Sequence, residues 1–189
     1  MVSLPLIYPD VTLRQVSLTV GILYVLSHAW AVFYPKTSLS SLRRFPRNHF
    51  LGAILILFNI VWVLWLCYQI NIGSFAHWRH WIVIASPVAA FLIIRFVTDF
   101  LAVRALGCLL LMAACPILKS AFLQEPWERL ILVVLAYAWV IAGMFMVGKP
   151  YLMRDALDYL RAHKTVYAAG AMAGLLFGLL LIVLAFLRF

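Results

Sequence analysis

Residues 81–118 constrain the fold more than any other stretch of this sequence. Two apolar runs lie within the stretch, and the segment between them carries Arg95, Asp99 and Arg104. As one straight helix the stretch would be about 57 Å long, nearly twice the ~30 Å thickness of a bilayer's hydrocarbon core. The chain must therefore fold back on itself, and the charged segment is predicted to form the turn.

The composition indicates an integral membrane protein. Of the 189 residues, 67% are hydrophobic and only 11% are charged. Ordinary soluble domains are about 45–50% apolar and about 25% charged. Several apolar runs also reach the ~17–25 residues that a transmembrane helix requires, so the lipid bilayer is the expected surrounding. The net charge of +9 accompanies no nucleic-acid-binding motif, and no nucleic-acid partner is expected.

The predicted fold class is all-α: one polytopic transmembrane helical bundle over residues 1–189, with about six spans. An amphipathic surface helix is predicted over 151–164. Leu157 shares its apolar face with two other apolar side chains, while Arg154 and Asp158 are spaced to pair on the opposite face. The six predicted spans are residues 16–34, 50–68, 81–97, 100–118, 130–147 and 167–187.

The basic residues are divided unevenly between the two sides of the predicted bundle. The segments that follow the first, third and fifth spans share a side, and they hold ten of the fifteen Lys and Arg residues. The most basic of them, residues 36–49, is predicted to be a loop because Pro35 and Pro46 bracket it. The positive-inside rule places this side in the cytoplasm. We therefore expect a cell (inner) membrane protein with both termini outside the cytoplasm.

Arg95, Asp99 and Arg104 form a candidate charged site with two open interpretations. Ionisable groups inside a membrane usually serve a function, so the three residues could line an ion or proton path or bind an anionic lipid headgroup. Alternatively, the arginines extend to the membrane surface and Asp99 caps a helix. A turn between two spans needs charges of this kind for topology alone, which favours the second interpretation.

Two polar side chains, His28 and Asn59, fall inside predicted spans. They are expected at neighbouring depths on the first and second spans, where they could hydrogen-bond to each other as structural links. The functional alternative is a proton-relay or haem-binding histidine. The other four histidines fall in predicted loops or at interfaces, so no haem or other cofactor is expected.

The segment before the third span interleaves His77, Arg79 and His80 with tryptophans. Two histidines three residues apart could hold a metal, yet the segment offers no carboxylate or cysteine to complete a coordination shell. Tryptophan and basic residues are also enriched at membrane–water interfaces. An interfacial belt is therefore expected and no metal is predicted, while contact with a lipid or quinone headgroup is the functional alternative.

Gly170, Gly174 and Gly178 recur at four-residue intervals in the last span. Such spacing forms a groove that allows another helix backbone to approach closely. Two interpretations stay open. The groove could bind a second copy of the chain or a partner membrane subunit, or it could pack within the bundle, for example against Ala138 and Ala142 of the fifth span.

Two features narrow the possible functions of the chain: it lacks known catalytic motifs, and its last span carries the glycine groove. No sequence motif of a metalloprotease, a serine hydrolase, a P-loop or a dinucleotide site occurs, and no catalytic residue is assigned. The favoured hypothesis is a non-enzymatic subunit, assembly factor or small oligomeric scaffold of a membrane complex. One alternative is a small transporter or channel-like protein with an Arg/Asp gate at the cytoplasmic face. A second is a lipid- or quinone-interacting membrane enzyme.

Overall fold

The computed structural model describes residues 11–69, 77–97, 99–122, 124–125 and 127–189. Helix makes up 89% of the described residues, which contain no strand. In chain order the elements are α1 (Leu13–Phe33), α2 (Pro35–Arg44), a 3₁₀ turn (Phe45–Arg47), α3 (His49–Gln69), α4 (Arg79–Phe96), α5 (Leu101–Ser120), α6 (Arg129–Gly148), α7 (Tyr151–Ala162) and α8 (Lys164–Leu187).

Six of the described helices are long and apolar enough to cross a membrane, namely α1, α3, α4, α5, α6 and α8. The predicted all-α bundle of about six spans is therefore confirmed, and the chain has the architecture of a multi-pass membrane protein. The stretch 81–118 folds back as the charges predict, because α4 ends at Phe96 and α5 begins at Leu101.

Residues 36–49 do not form the predicted loop; most of them belong to α2 and the 3₁₀ turn. Pro35 lies in the first turn of α2. A proline is well tolerated there, since an N–H in the first turn has no partner within the helix. Pro46 lies near the start of the 3₁₀ turn and is buried. The two prolines therefore mark where helical segments begin.

Glycines allow the spans to pack backbone against backbone. α1 lies against α8, where a Cβ atom added to Gly178 would meet Tyr24 Cβ at 2.8 Å and the Gly21 carbonyl oxygen at 3.0 Å. In the α5–α6 pair, a Cβ added to Gly143 would lie 2.8 Å from the carbonyl oxygen of Gly107. Small residues at such contacts let two membrane helices approach closely.

The glycine groove of the last span, α8, faces α1. The fifth span, α6, which the sequence pattern suggests as an example of a packing partner, does not fill it. Gly174 leaves room for the ring of His28, and Gly178 lies against the backbone of α1. A Cβ added to Gly170 would meet no atom within 4 Å. Two of the three glycines thus pack within the bundle. This packing corresponds to the intramolecular alternative, with α1 as the partner helix.

α5 is central to the packing because it contributes to two apolar clusters. One cluster joins α1, α5, α6 and α8, with Leu132 and Leu181 fully buried. The other joins α3, α4 and α5 around Leu101, of which 1% is exposed. Since α4 packs mainly on α3, most of its apolar surface faces outward, as expected for a helix bordered by lipid.

One end of the bundle gathers α2, the 3₁₀ turn, the α4–α5 connection and α7, and we call it the basic end. Helix α7 lies where the surface helix is predicted, but its ion pairs differ from the predicted ones. Arg154 pairs with Asp155 at 2.9 Å, and Asp158 pairs with Arg43 of α2 at 3.3 Å. The acidic side chain of Asp158 therefore joins two elements of the basic end instead of stabilising α7 alone.

Candidate functional site

A cleft of about 780 Å³ opens at the basic end, between α2 and the junction of α7 with α8. We call it the basic cleft. Six of its ten lining residues are Lys or Arg and none is acidic, so it attracts anions strongly. The lining residues are Lys36, Leu39, Ser40, Arg43, Arg44, Arg47, Asn48, Leu157, Arg161 and Lys164.

One wall of the basic cleft is a helical face of α2 and its 3₁₀ extension. Lys36, Ser40, Arg44 and Arg47 are spaced by four, four and three residues, which places them on one side of a helix. Lys36 and Arg44 are about 12 Å apart along the axis, at 1.5 Å per residue. This wall therefore distributes its positive charge along the length of the cleft.

The opposite wall comes from the end of α7 and the start of α8. Leu157, Arg161 and Lys164 are spaced by four and three residues and face the cleft. Leu157 is only 6% exposed and, with Leu39 of the other wall, gives the cleft an apolar component. The two arrays of cations thus border a surface that is partly apolar.

Two contacts hold the walls together. The hydroxyl oxygens of Ser38 and Tyr167 are 2.6 Å apart, and both residues are buried. Nearer the other end of α2, Arg43 pairs with Asp158 at 3.3 Å. Residue numbers rise along α2 while those of its partners fall, so the walls run antiparallel. The buried hydroxyl pair fixes the first turn of α2 relative to the first turn of α8.

The positive charge of the basic cleft is largely uncompensated. Asp158 accepts the ion pair of one lining cation, Arg43. In the described part of the chain, the other five lining cations form no ion pair within 4.0 Å: Lys36, Arg44, Arg47, Arg161 and Lys164. All five side chains belong to exposed residues. Arginine forks and lysine ammonium groups so arranged are suited to bind phosphate oxygens.

The residues of the predicted charged site lie at the same end but outside the basic cleft. Arg95, Asp99 and Arg104 are all exposed, and no ion pair joins them among the residues that the structure describes. Asp99 does not cap α5, so the interpretation in which it caps a helix is wrong. The N-cap is Phe100, with φ of 56° and no side-chain capping bond, because the tight turn places the left-handed residue immediately before the helix.

His28 and Asn59 do not bond to each other, because α3 packs against α5 rather than α1. His28 Nδ1 lies 2.9 Å from the carbonyl oxygen of Tyr24, and its ring stacks on the Tyr24 ring. Asn59 Nδ2 donates a 2.8 Å hydrogen bond to the carbonyl oxygen of Ala105 on α5. Asn59 therefore links two spans, with a different partner from the predicted one.

Arg79 and His80 begin α4 and His77 lies two residues before it, at the end of the bundle opposite the basic cleft. The rings of His77 and Trp78 are 5.4 Å apart, and those of His80 and Trp81 are 4.9 Å apart. Within the described ranges, no group of three or more His, Cys, Asp or Glu side chains converges as a metal site would require. Tryptophan at the end of a span is typical of the membrane–water interface, and the interfacial belt stays a prediction.

The sequence pattern predicts a loop over residues 36–49, so it does not predict the basic cleft. The available signal was the helical spacing of cations in 36–47, matched by the spacing of Leu157, Arg161 and Lys164. Sequence periodicity alone does not show that these two segments, 129 residues apart at the Ser38–Tyr167 contact, face each other.

No protein-family model matches the chain, and no curated protein or solved structure is significantly similar to it.

Proposed function

We propose that this chain is a non-enzymatic component of a cell (inner) membrane that binds phosphate-bearing amphiphiles in the basic cleft. Such a component could serve as a scaffold or assembly factor whose position depends on its lipid. The observation that carries the proposal is the pair of cationic walls facing each other across one cleft. Five of the six cations there have no ion pair in the described part of the chain, so they are free to bind an anion.

Phosphate fits the chemistry of the basic cleft better than a carboxylate or a halide does. Arg44, Arg47 and Arg161 can each offer two parallel N–H groups to two oxygens of one phosphate. Lys36 and Lys164 supply point charges beside them. Hydrogen bonds between such groups are short, about 2.7–2.9 Å, and roughly twice as strong as bonds between neutral partners.

An amphiphile fits better than a free anion because of where the cleft lies. α2 follows α1 after a single residue, Tyr34, and Lys164 begins α8, so the cations lie at the ends of membrane-crossing helices. This is the level at which lipid headgroups are found. Leu39 and Leu157 give the same cleft an apolar surface for the upper part of a lipid tail.

The positive-inside rule supports a cytoplasmic location for the basic end, which holds ten of the fifteen Lys and Arg residues. The rule alone does not account for the cleft, however. Topology depends on how many basic residues a side has, and it does not require them to line one cavity. A test must therefore separate cleft charge from total charge at the same end.

Removing three cleft cations should abolish most of the lipid binding. In the variant Arg44→Gln, Arg47→Gln, Arg161→Gln, we expect the affinity for dioleoylphosphatidylglycerol to fall about tenfold, because a phosphate can still bind at Lys36 and Lys164, although without Arg161. Each basic residue near an anionic lipid contributes about 1 kcal/mol, and 1.4 kcal/mol corresponds to a factor of ten. The affinity is measured by native mass spectrometry of the detergent-solubilised protein, with phosphatidylcholine as the neutral reference lipid.

The matched control removes three charges from the same end but outside the basic cleft. The variant Arg95→Gln, Arg104→Gln, Lys149→Gln has the same net charge as the cleft variant, and its affinity should stay within about threefold of the unmodified protein. Equal losses in both variants would indicate general attraction to the basic end and would contradict the proposal. So would phosphatidylglycerol binding no tighter than phosphatidylcholine.

The reverse effect is expected from Asp158→Asn. The substitution releases Arg43 and removes the acid nearest the cleft, so phosphatidylglycerol should bind about fivefold more tightly, for a gain of about 1 kcal/mol. Asp155→Asn is the control, because it makes the same charge change on the same helix beside Arg154, which does not line the cleft. Titration of both variants checks the prediction, and an equal gain from both would contradict it.

A further inference from the structure

We infer that the basic cleft takes a lipid headgroup carrying two separate phosphate groups. The inference rests on the proposed function and goes further, since it names the class of lipid. The observation behind it is the distribution of the cations, which extend along the length of the cleft instead of converging on one point. The contacts between the walls show how the cations are arranged.

The first cationic group lies beside the buried Ser38–Tyr167 contact. Lys36 is two residues from Ser38 on α2, and Lys164 is three residues from Tyr167 on α8. Because the hydroxyl pair holds these two helical turns together, we assign both lysines to the same end of the cleft. We call this the lysine end.

The second group lies towards the Arg43–Asp158 contact. Arg44 follows Arg43 directly, and Arg47 is one turn further along the same wall. We call this the arginine end. Arg161 lies between Asp158 and Lys164 in sequence, so we assign it to an intermediate position in the cleft. The cleft thus has two anion-binding ends with a shared cation between them.

A single phosphate does not satisfy this arrangement. Its oxygens form charge-assisted hydrogen bonds of about 2.7–2.9 Å, so it contacts the cations at one end only. Lys36 and Arg44 are about 12 Å apart along α2, and the other end would stay uncompensated. A phosphodiester also carries one negative charge, against five lining cations without an ion pair in the described chain. Two phosphodiesters joined by a spacer occupy both ends at once.

The spacer also distinguishes a lipid headgroup from a free diphosphate. The two phosphorus atoms of inorganic pyrophosphate share one bridging oxygen, so the ion occupies one end. In cardiolipin a glycerol separates the phosphates, and each carries apolar chains. Leu39 and Leu157 line the same cleft and provide apolar contact for those chains. The geometry therefore favours the lipid source of the two phosphates.

The test compares cardiolipin with phosphatidylglycerol at equal phosphate concentration, using native mass spectrometry of the full chain in detergent. Cardiolipin should bind at least about tenfold more tightly, because occupation of one end raises the effective concentration of the second phosphate at the other. Inorganic pyrophosphate is added as a competitor at the same phosphate concentration. It should not displace cardiolipin.

Two variants, each changing one end, make the test specific. Lys36→Gln, Lys164→Gln removes the lysine end, and Arg44→Gln, Arg47→Gln removes the arginine end. Each should reduce cardiolipin affinity about tenfold, to the level of phosphatidylglycerol. Each should reduce phosphatidylglycerol affinity only about twofold, since one of two single-phosphate positions remains.

The outcomes separate this inference from the proposed function. If cardiolipin and phosphatidylglycerol bind equally per phosphate and lose affinity equally in both variants, the two-phosphate inference fails and the proposed function stands. If neither lipid binds more tightly than phosphatidylcholine, both fail. If pyrophosphate displaces cardiolipin, the lipid source is overturned, and the cleft is a site for a soluble anion.

Discussion

Gly178→Leu is expected to destabilise the bundle by about 1–3 kcal/mol, the usual cost of inserting a side chain into a packed interface. A Cβ at this position would lie 2.8 Å from Tyr24 Cβ and 2.9 Å from the backbone nitrogen of Val25. Because these atoms belong to the backbone of α1 or are attached directly to it, they cannot move without shifting the whole helix. The midpoint of thermal unfolding in detergent should fall clearly.

Gly170→Leu is the matched control for that prediction. It makes the same substitution on the same helix, two turns away, where an added Cβ would meet no atom within 4 Å. Its unfolding midpoint should stay close to that of the unmodified protein. Equal destabilisation by both variants would show that leucine itself disturbs α8. An unchanged midpoint for Gly178→Leu would contradict the close α1–α8 contact.

The spans were predictable because the thickness of the bilayer determines their length, and prolines or charged residues mark where they end. The charges between residues 94 and 105 were enough to identify the α4–α5 hairpin, and the ends of α6 agree with the prediction to within a residue. The pairing of the spans was not predictable. Each span is apolar on nearly all sides, so hydrophobic periodicity does not show which face meets which helix. The glycines indicated a close contact but not that α1 would provide it.

The candidate site was less predictable than the fold, for a physical reason. Single charged or polar residues within apolar runs, such as Asp99 and His28, are conspicuous in a sequence. The basic cleft instead depends on ordinary surface cations of two distant segments, which are brought together by the buried Ser38–Tyr167 contact. Serine and tyrosine are too common for that contact to be anticipated. The prolines beside α2 also favoured a loop, although proline is compatible with the first turn of a helix.

Asn59→Asp is expected to be the most damaging single substitution among the intramembrane polar residues. Asn59 lies ten residues from the start of α3, near the middle of the span, and is 7% exposed. Its Nδ2 donates to the Ala105 carbonyl oxygen at 2.8 Å. Aspartate replaces that donor with a carboxylate facing an acceptor, and a charged aspartate at a helix centre costs about 2.5–3.5 kcal/mol. Thermal unfolding in detergent or bicelles measures the loss.

Asn59→Leu separates the cost of charge from the loss of the hydrogen bond. The Oδ1 atom of Asn59 is buried and has no hydrogen-bond partner among the described residues, so asparagine itself is imperfectly satisfied. Leucine removes that oxygen together with a bond worth only ~0.6 kcal/mol on average in a membrane protein. The variant should therefore lie within about 1 kcal/mol of the unmodified protein. If leucine proves as damaging as aspartate, the link from Asn59 to α5 contributes far more to holding α3 in place than its single hydrogen bond implies.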